Sequence, residues 1–270
     1  LPQTAFSYTL SSYCDNATAQ FTDASAAGIS WAWNFGNGST AATQVVQQQN
    51  YTSGAYPVSL TVTDANNCQN TFTDTIKIYT SPDANFSGTN SCFNSLNLFT
   101  DQSTITGLDL IQQWSWSFGD GTSSSIQNTT HQYPAPGNYQ VKLKINSTYC
   151  SDSITQSIEV YPLPNPNFTF NPNSGCAPLA VTFTNTSSGA TFYNWNFGDG
   201  VISTTANPNH NYLPSLSDTV YQIKLIAENS FSCTDSISNS ISISGKPLAN
   251  FSILQDTICS GSSVVFTNLL

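Results

Sequence analysis

The chain has 270 residues but no arginine and no methionine, so its five basic side chains are all lysine. Two histidines and a charged fraction of 7% complete a sparse set of ionisable groups, where a soluble domain ordinarily carries about 25% charge. With a net charge of −10 and no basic surface, the chain cannot neutralise phosphates or an anionic bilayer, which excludes nucleic-acid binding and electrostatic membrane attachment. No apolar run approaches the roughly 18–20 residues of a membrane span, so no membrane insertion is expected of this segment. No signal peptide is visible at Leu1. With methionine missing even at position 1, the sequence reads as a mature or internal piece of something longer. Solubility falls to Ser, Thr, Asn and Gln, while 39% hydrophobic and 12% aromatic residues are enough to build cores.

What is present is repetition. The stretch Trp114-Ser-Trp-Ser-Phe-Gly-Asp-Gly121 occurs also as Trp31-Ala-Trp-Asn-Phe-Gly-Asn-Gly38 and as Tyr193-Asn-Trp-Asn-Phe-Gly-Asp-Gly200. In each, aromatics alternate with small or polar residues, which places them on one face of a β-strand. Trp33, Phe35, Trp116, Phe118, Trp195 and Phe197 are therefore the expected core. A carbohydrate platform is the rival reading of this stripe, and alternation with the other strands favours the core. The Gly-Asp/Asn-Gly that follows supplies positive φ for a tight turn.

Three further positions recur in register. A phenylalanine stands at 6, 86, 168 and 251, and Phe-Thr-Asp/Asn begins at Phe21, Phe99, Phe183 and Phe266. A strand opening on tyrosine reads Tyr56-Val58-Leu60-Val62, Tyr139-Val141-Leu143-Ile145 and Tyr221-Ile223-Leu225-Ala227 on its inner face. A last strand follows each, over 75–79, 154–161 and 236–243. Short alternating strands without a helical period define an all-β fold of tandem sandwiches. Proline-bearing connections at Thr80-Ser-Pro82, Pro162-Leu-Pro-Asn-Pro166 and Gly245-Lys-Pro247 divide it. Repeats are expected over residues 1–81, 82–163 and 164–246, with residues 247–270 supplying only the first two strands of a fourth. Such a pair would expose Phe251, Val265 and Phe266, so either the chain continues beyond Leu270 or these strands complete a neighbouring sandwich.

The seven cysteines distribute by repeat. Cys14 and Cys68, Cys92 and Cys150, and Cys176 and Cys233 each flank an aromatic strand, joining the segment before the Phe-Thr strand to the turn before the last strand. One pair per small repeat reads as three intra-repeat disulfides formed in an oxidising compartment. Cys259 matches the first member of a further pair. Zinc ligation or free buried thiols are the alternatives, but the chain has no CxxC and only two histidines, and no metal or other cofactor is expected.

Asp120 and Asp199, between their glycines, are candidate acids or metal ligands, yet Asn37 stands at the same place in the first copy. Asn caps a turn but fails as an acid, so turn carboxylates accepting backbone N–H groups are expected. His131 and His210 precede Tyr133 and Tyr212 by two residues, and a buried His or Tyr bonding the backbone, as in a tyrosine corner, is expected there. No nucleophile elbow, Cys-His pair or close acid pair is present, so there is no catalytic residue to name and the segment reads as non-enzymatic.

Trp-x-Phe-Gly-Asp-Gly, then His-x-Tyr, then Gly-x-Tyr-x-Val-x-Leu resembles the PKD (polycystic kidney disease) domain, an Ig-like β-sandwich. The second copy matches throughout: Trp116, Phe118, Gly119 to Gly121, His131, Tyr133, Gly137, Tyr139, Val141 and Leu143. The third replaces the Pro-Gly approach with a longer 213–219 segment. The first departs furthest, with Asn37 for Asp and Gln49-Asn-Tyr51 for His-x-Tyr. The cysteine-bearing type, with Asp-Ser/Thr-Ile after the second cysteine, is similar to arrays in large surface and gliding-associated proteins of Bacteroidota exported by the type IX system. The resemblance implies an extracellular, cell-surface location and a non-catalytic stalk or adhesin role, with partners among other copies or domains of the same protein, or surface glycans or proteins. A spacer in a secreted hydrolase and a subunit of an extracellular filament or surface layer are the alternatives. Asp-Ser/Thr-Ile/Val also resembles the O-glycosylation acceptor of that group, which would place sugars on Thr75, Ser153, Thr219, Ser236 and Thr257, whose motif is Asp256-Thr257-Ile258. The alternative is a strand start with a polar residue facing out. Asn-x-Ser/Thr triplets such as Asn128-Thr-Thr130 count only in a host that N-glycosylates.

Overall fold

The computed structural model describes residues 1–46, 48–246, 251–253, 257 and 259–268. Pro247, Asp256, Ile258 and Leu270, named above, lie outside them. Among the described residues every regular element is a β-strand. The chain divides into two compact units, Leu1–Val160 and Tyr161–Leu270.

The first unit holds two Ig-like sandwiches. One has a small sheet of strands Phe6–Leu10, Ala17–Asp23 and Gln49–Tyr51, in that order. It faces a larger sheet ordered Thr40–Ala41, Ser30–Asn34, Gly54–Thr63 and Gln69–Ile78. The second sandwich orders Thr129–His131, Asn97–Asp101 and Phe86–Gly88 in its small sheet. Ser123–Ser124, Gln113–Ser117, Gly137–Asn146, Ser151–Tyr161 and Ser91–Cys92 form the large one. The second unit repeats this plan. Phe168–Asn171, Leu179–Asn185 and Asn209–Tyr212 make the small sheet, and Ser174–Cys176, Thr234–Ser244, Thr219–Glu228, Phe192–Asn196 and Ile202–Ser203 the large one.

The period-two pattern decides which face is inside. Trp33, Trp116 and Trp195 stand opposite Leu60, Leu143 and Leu225 across an antiparallel ladder, and all six residues are buried. The small sheet closes over them. Phe6, Phe86 and Phe168 lie 5.2, 5.1 and 5.1 Å from the tryptophans by ring centroid. Phe21, Phe99 and Phe183 add tilted contacts at 5.7, 5.8 and 5.5 Å. Ring pairs at such separations add to the area that they bury. The rival platform reading of the aromatic stripe fails on this burial.

The last strands begin earlier than the sequence pattern suggests, at Gln69, Ser151 and Thr234. The ladder with the preceding strand runs unbroken from the turn, with Thr63 opposite Gln69 and Asn146 opposite Ser151. Polar turn-like residues there hide a strand that backbone pairing makes. At the end of the second unit, Phe251–Ile253 pairs antiparallel with Phe266–Asn268, and Phe251, Val265 and Phe266 are exposed.

Candidate functional site

The aromatic strand ends in a corner that fixes the rest of each sandwich. The inner tryptophans each donate Nε1–H to a loop carbonyl ten residues on: Thr43 at 3.1 Å, Ile126 at 2.9 Å and Thr205 at 3.0 Å. No indole donor is left unpaired by burial. Tyr51, Tyr133 and Tyr212 donate their hydroxyls back to Phe35, Phe118 and Phe197 carbonyls at 2.9, 3.3 and 3.0 Å. Burial, and then the neighbouring tyrosine or aspartate charge, pushes all three phenols well above the ordinary tyrosine range, so they remain donors.

Gly119 takes φ 84°, and a Cβ there would stand 2.8 Å from the Gln140 carbonyl of the facing strand. Gly121, at φ 92°, has open space around it and is required by conformation alone. Between them Asp120 caps the turn, its Oδ1 accepting from the N–H of Thr122 at 3.0 Å and from its hydroxyl at 2.6 Å. The turn-carboxylate reading therefore holds at Asp120 and at Asp199 through Val201 N–H at 3.1 Å, and the amide oxygen of Asn37 makes the same cap through Ser39 N–H at 3.0 Å. The expected backbone bond of a tyrosine corner is made by Tyr133 and Tyr212. His131 and His210 bond the carboxylates of Asp120 and Asp199, each at 2.7 Å, rather than the backbone. Each imidazole also stacks on the motif phenylalanine, Phe118 or Phe197, at 4.2 Å. Burial raises the Asp120 pKa, but hydrogen bonds from Thr122 and His131 and the attraction of His131 outweigh it, leaving the carboxyl below its usual value. The signal was available across repeats: aspartate occurs with histidine twice, and Asn37 occurs with Gln49.

A second pairing escaped the sequence reading. The outer tryptophans Trp31 and Trp114 donate Nε1–H to Asp23 and Asp101, the acids of Phe-Thr-Asp, at 2.9 and 2.7 Å. In the third repeat the acid becomes Asn185 and the tryptophan becomes Tyr193, whose hydroxyl goes to the Ala190 carbonyl at 3.2 Å.

The cysteines overturn the intra-repeat scheme. Cys14 is bonded to Cys150, at a sequence separation of 136 and with Cα atoms 5.8 Å apart. Cys92 and Cys233 are disulfide-bonded, while Cys68 and Cys176 are exposed free thiols, as is Cys259. Neither 14–68, nor 92–150, nor 176–233 forms. The reason is the last strand. Cys68 immediately precedes Gln69–Ile78, whereas Cys14 forms a parallel bridge with Tyr79 at its far end. Ten residues of strand span about 33 Å, and a disulfide requires Cα atoms within about 7 Å. The same strand separates Cys176, paired in parallel with Ser244, from Cys233 before Thr234.

The first cysteine of the first sandwich instead meets the second cysteine of the second. Around Cys14–Cys150, Tyr149 stacks on Tyr79 at 4.4 Å and on Tyr13 at 5.4 Å. Asp15 holds the connecting Ser81 by its N–H at 2.8 Å and its hydroxyl at 2.6 Å. The linker, the turn and the sheet edge are thus fastened at one place.

Of the Asp-Ser/Thr-Ile/Val hydroxyl residues, Thr75, Ser153, Ser236 and Thr257 are exposed, and Thr219 is half-buried with its hydroxyl donating to the Ser217 carbonyl at 3.3 Å. Among the described residues no three His, Cys, Asp or Glu side chains stand together as a metal cluster.

Fold and corner together define tandem Ig-like β-sandwiches, the first two of them joined by covalent and aromatic contacts. The chain belongs to the PKD domain family, whose model matches residues 8–78, 79–161 and 163–244. It is 33% identical over 119 residues to the pre-pro-metalloprotease PrtV of Vibrio cholerae serotype O1, a stretch that is 43% of this chain and 13% of that protein. Among solved structures it is similar to the PKD1 domain of Vibrio cholerae metalloprotease PrtV, at 26% identity and TM-score 0.26, covering 30% of this chain and 98% of that one. The PKD1 domain of Vibrio anguillarum Epp matches at 22% identity and TM-score 0.29, covering 30% and 95%.

Proposed function

We propose that this chain is a non-catalytic extracellular stalk segment of a cell-surface protein, which holds a distal adhesive or assembly region away from the cell. The observation that carries the reading is the Cys14–Cys150 bridge, because it ties one sandwich to the next rather than closing a single one. With the Tyr13, Tyr149 and Tyr79 stack beside it, it stiffens a junction that proline-bearing linkers already keep short. Disulfides of this kind persist outside the reducing cytosol, which supports the extracellular assignment. A surface of Ser, Thr, Asn and Gln with 7% charge suits a spacer better than a charged recognition face.

The stretch shared with a metalloprotease, a small fraction of that protein, favours a second reading: a spacer beside a catalytic domain in a secreted hydrolase. Antibodies to this chain, applied to intact source cells and to culture supernatant, distinguish the two. The stalk reading expects surface label that added protease removes and immunogold displaced from the membrane. Label confined to soluble supernatant and co-purifying with peptidase activity favours the second reading, and label confined to the cytosol defeats both.

A further inference from the structure

We infer that Cys68 and Cys176 are complementary halves of an intermolecular disulfide, Cys176 of one copy of this chain joining Cys68 of another as Cys14 joins Cys150. The inference extends the stalk reading without depending on it. It rests on two closed cysteine positions whose backbone bonding is reproduced at two open ones.

The first half is a sheet edge. Cys14 stands in a parallel bridge with Tyr79, and the next N–H, that of Asp15, donates to the Tyr79 carbonyl at 2.7 Å. Cys176 stands in parallel register with Ser244, and the N–H of Ala177 donates to the Ser244 carbonyl at 2.9 Å. Both cysteines therefore leave the same edge beside the end of the last strand.

The second half is a turn. Ser147 donates its N–H to the Cys150 carbonyl at 2.8 Å, and its hydroxyl accepts the Cys150 N–H at 3.2 Å. Asp64 makes the same reciprocal pair with Cys68, at 3.0 Å each way. Asn229 does so with Cys233, also at 3.0 Å each way, and Cys233 is disulfide-bonded. Three different side chains thus present the second cysteine alike. In two of the three turns it is bridged and buried, and at Cys68 it is exposed and free.

The occupant of either open half is consequently another repeat of this type carrying the opposite half, and a second copy of the chain presents one. Closure is an oxidation. The Cys176 thiol loses its proton, and the thiolate attacks one sulfur of a small disulfide such as oxidised glutathione, releasing one glutathione thiol. The Cys68 thiolate of the second copy displaces the other glutathione as thiolate, which takes up a proton. Two protein thiols lose two electrons, and one glutathione disulfide becomes two thiols.

The test uses the 270-residue chain with Cys259→Ser, which removes the remaining free thiol. Incubated with oxidised glutathione, it should give a reducible ladder of dimers and higher species on a non-reducing gel. Cys68→Ser and Cys176→Ser variants should each remain monomeric alone. Mixed, they should stop at a dimer whose cross-linked peptide joins position 176 to position 68, at least tenfold over either symmetric dimer. Recovery of the Cys14–Cys150 peptide from every variant verifies that each is folded. Symmetric 68–68 or 176–176 dimers exceeding a tenth of the mixed yield, or no cross-link in the mixture, would overturn the inference.

Discussion

The indole of Trp114 donates its Nε1–H to the carboxylate of Asp101 at 2.7 Å, tying the aromatic strand to the Phe-Thr-Asp strand of the facing sheet. Asp101 also receives Gln127 and the Ser103 N–H, both at 3.0 Å. Its removal therefore leaves a half-buried donor and a loop without partners. Asp101→Ala should lower the stability of the first unit by about 1–3 kcal/mol, and Asp101→Asn by less. Urea unfolding followed by tryptophan fluorescence reads both, and an unchanged midpoint for Asp101→Ala would show that the bond contributes nothing net.

Trp116 is fully buried against Phe86, Phe99 and Phe118. Trp116→Ala should cost about 3–5 kcal/mol and melt the second sandwich. Calorimetry checks it, and a thermally silent substitution would remove Trp116 from the core.

The Asp120 carboxyl titrates lower in the folded protein than in the unfolded chain. Its stabilising contribution is therefore complete above the unfolded value of about 3.9 and disappears as pH falls through the folded value. Asp120→Asn should be less stable than the parent at pH 7, and the gap should close below about pH 4. Denaturation midpoints across that range test the sign; a gap that widens in acid contradicts it. Asn37 occupies the corresponding place in the first sandwich, so that sandwich should lack this component of acid sensitivity.

Cys14–Cys150 closes a loop across a separation of 136 residues, and on the chain-entropy model such a closure stabilises by about 5 kcal/mol at most. Cys14→Ser with Cys150→Ser should lower the denaturation midpoint of the first unit substantially. Non-reducing peptide mapping of the parent should return a 14–150 peptide and free thiols at Cys68 and Cys176. Any 14–68 peptide would restore the intra-repeat scheme.

Ser153 and Ser236 stand exposed in strands after the second cysteines of their repeats. In a host with the matching glycosyltransferase they should carry O-linked sugar, as should Thr75 and Thr257, while half-buried Thr219 should carry less. Intact-glycopeptide mass spectrometry decides it, bare peptides at every position being the adverse result.

The sandwiches were legible because their code is local. Trp33, Trp116 and Trp195 announce an inward face by alternation, and the positive φ of Gly121 is written in its residue type. The cysteine pairing was not legible, because an interval along the chain says nothing about which end of a strand a residue occupies. Cys14 and Cys68 fall in the same repeat and lie at opposite ends of Gln69–Ile78. The Asp101 and Asp120 contacts lay between. Each joins residues of different strands or turns only 13 and 11 positions apart, and they show in the sequence only as paired exchanges between repeats, Trp114 with Asp101 against Tyr193 with Asn185.

The Cys14–Cys150 bond also sets the path of tension. A pull on the chain enters at one end, reaches Cys14 and crosses the two sulfurs directly to Cys150. The 136-residue interval between them is bypassed. Unfolding of the strands within it adds nothing to the distance between Cys14 and Cys150. The separation of these two positions is held while the bond is oxidised, and reduction returns the backbone between them to the path of the load.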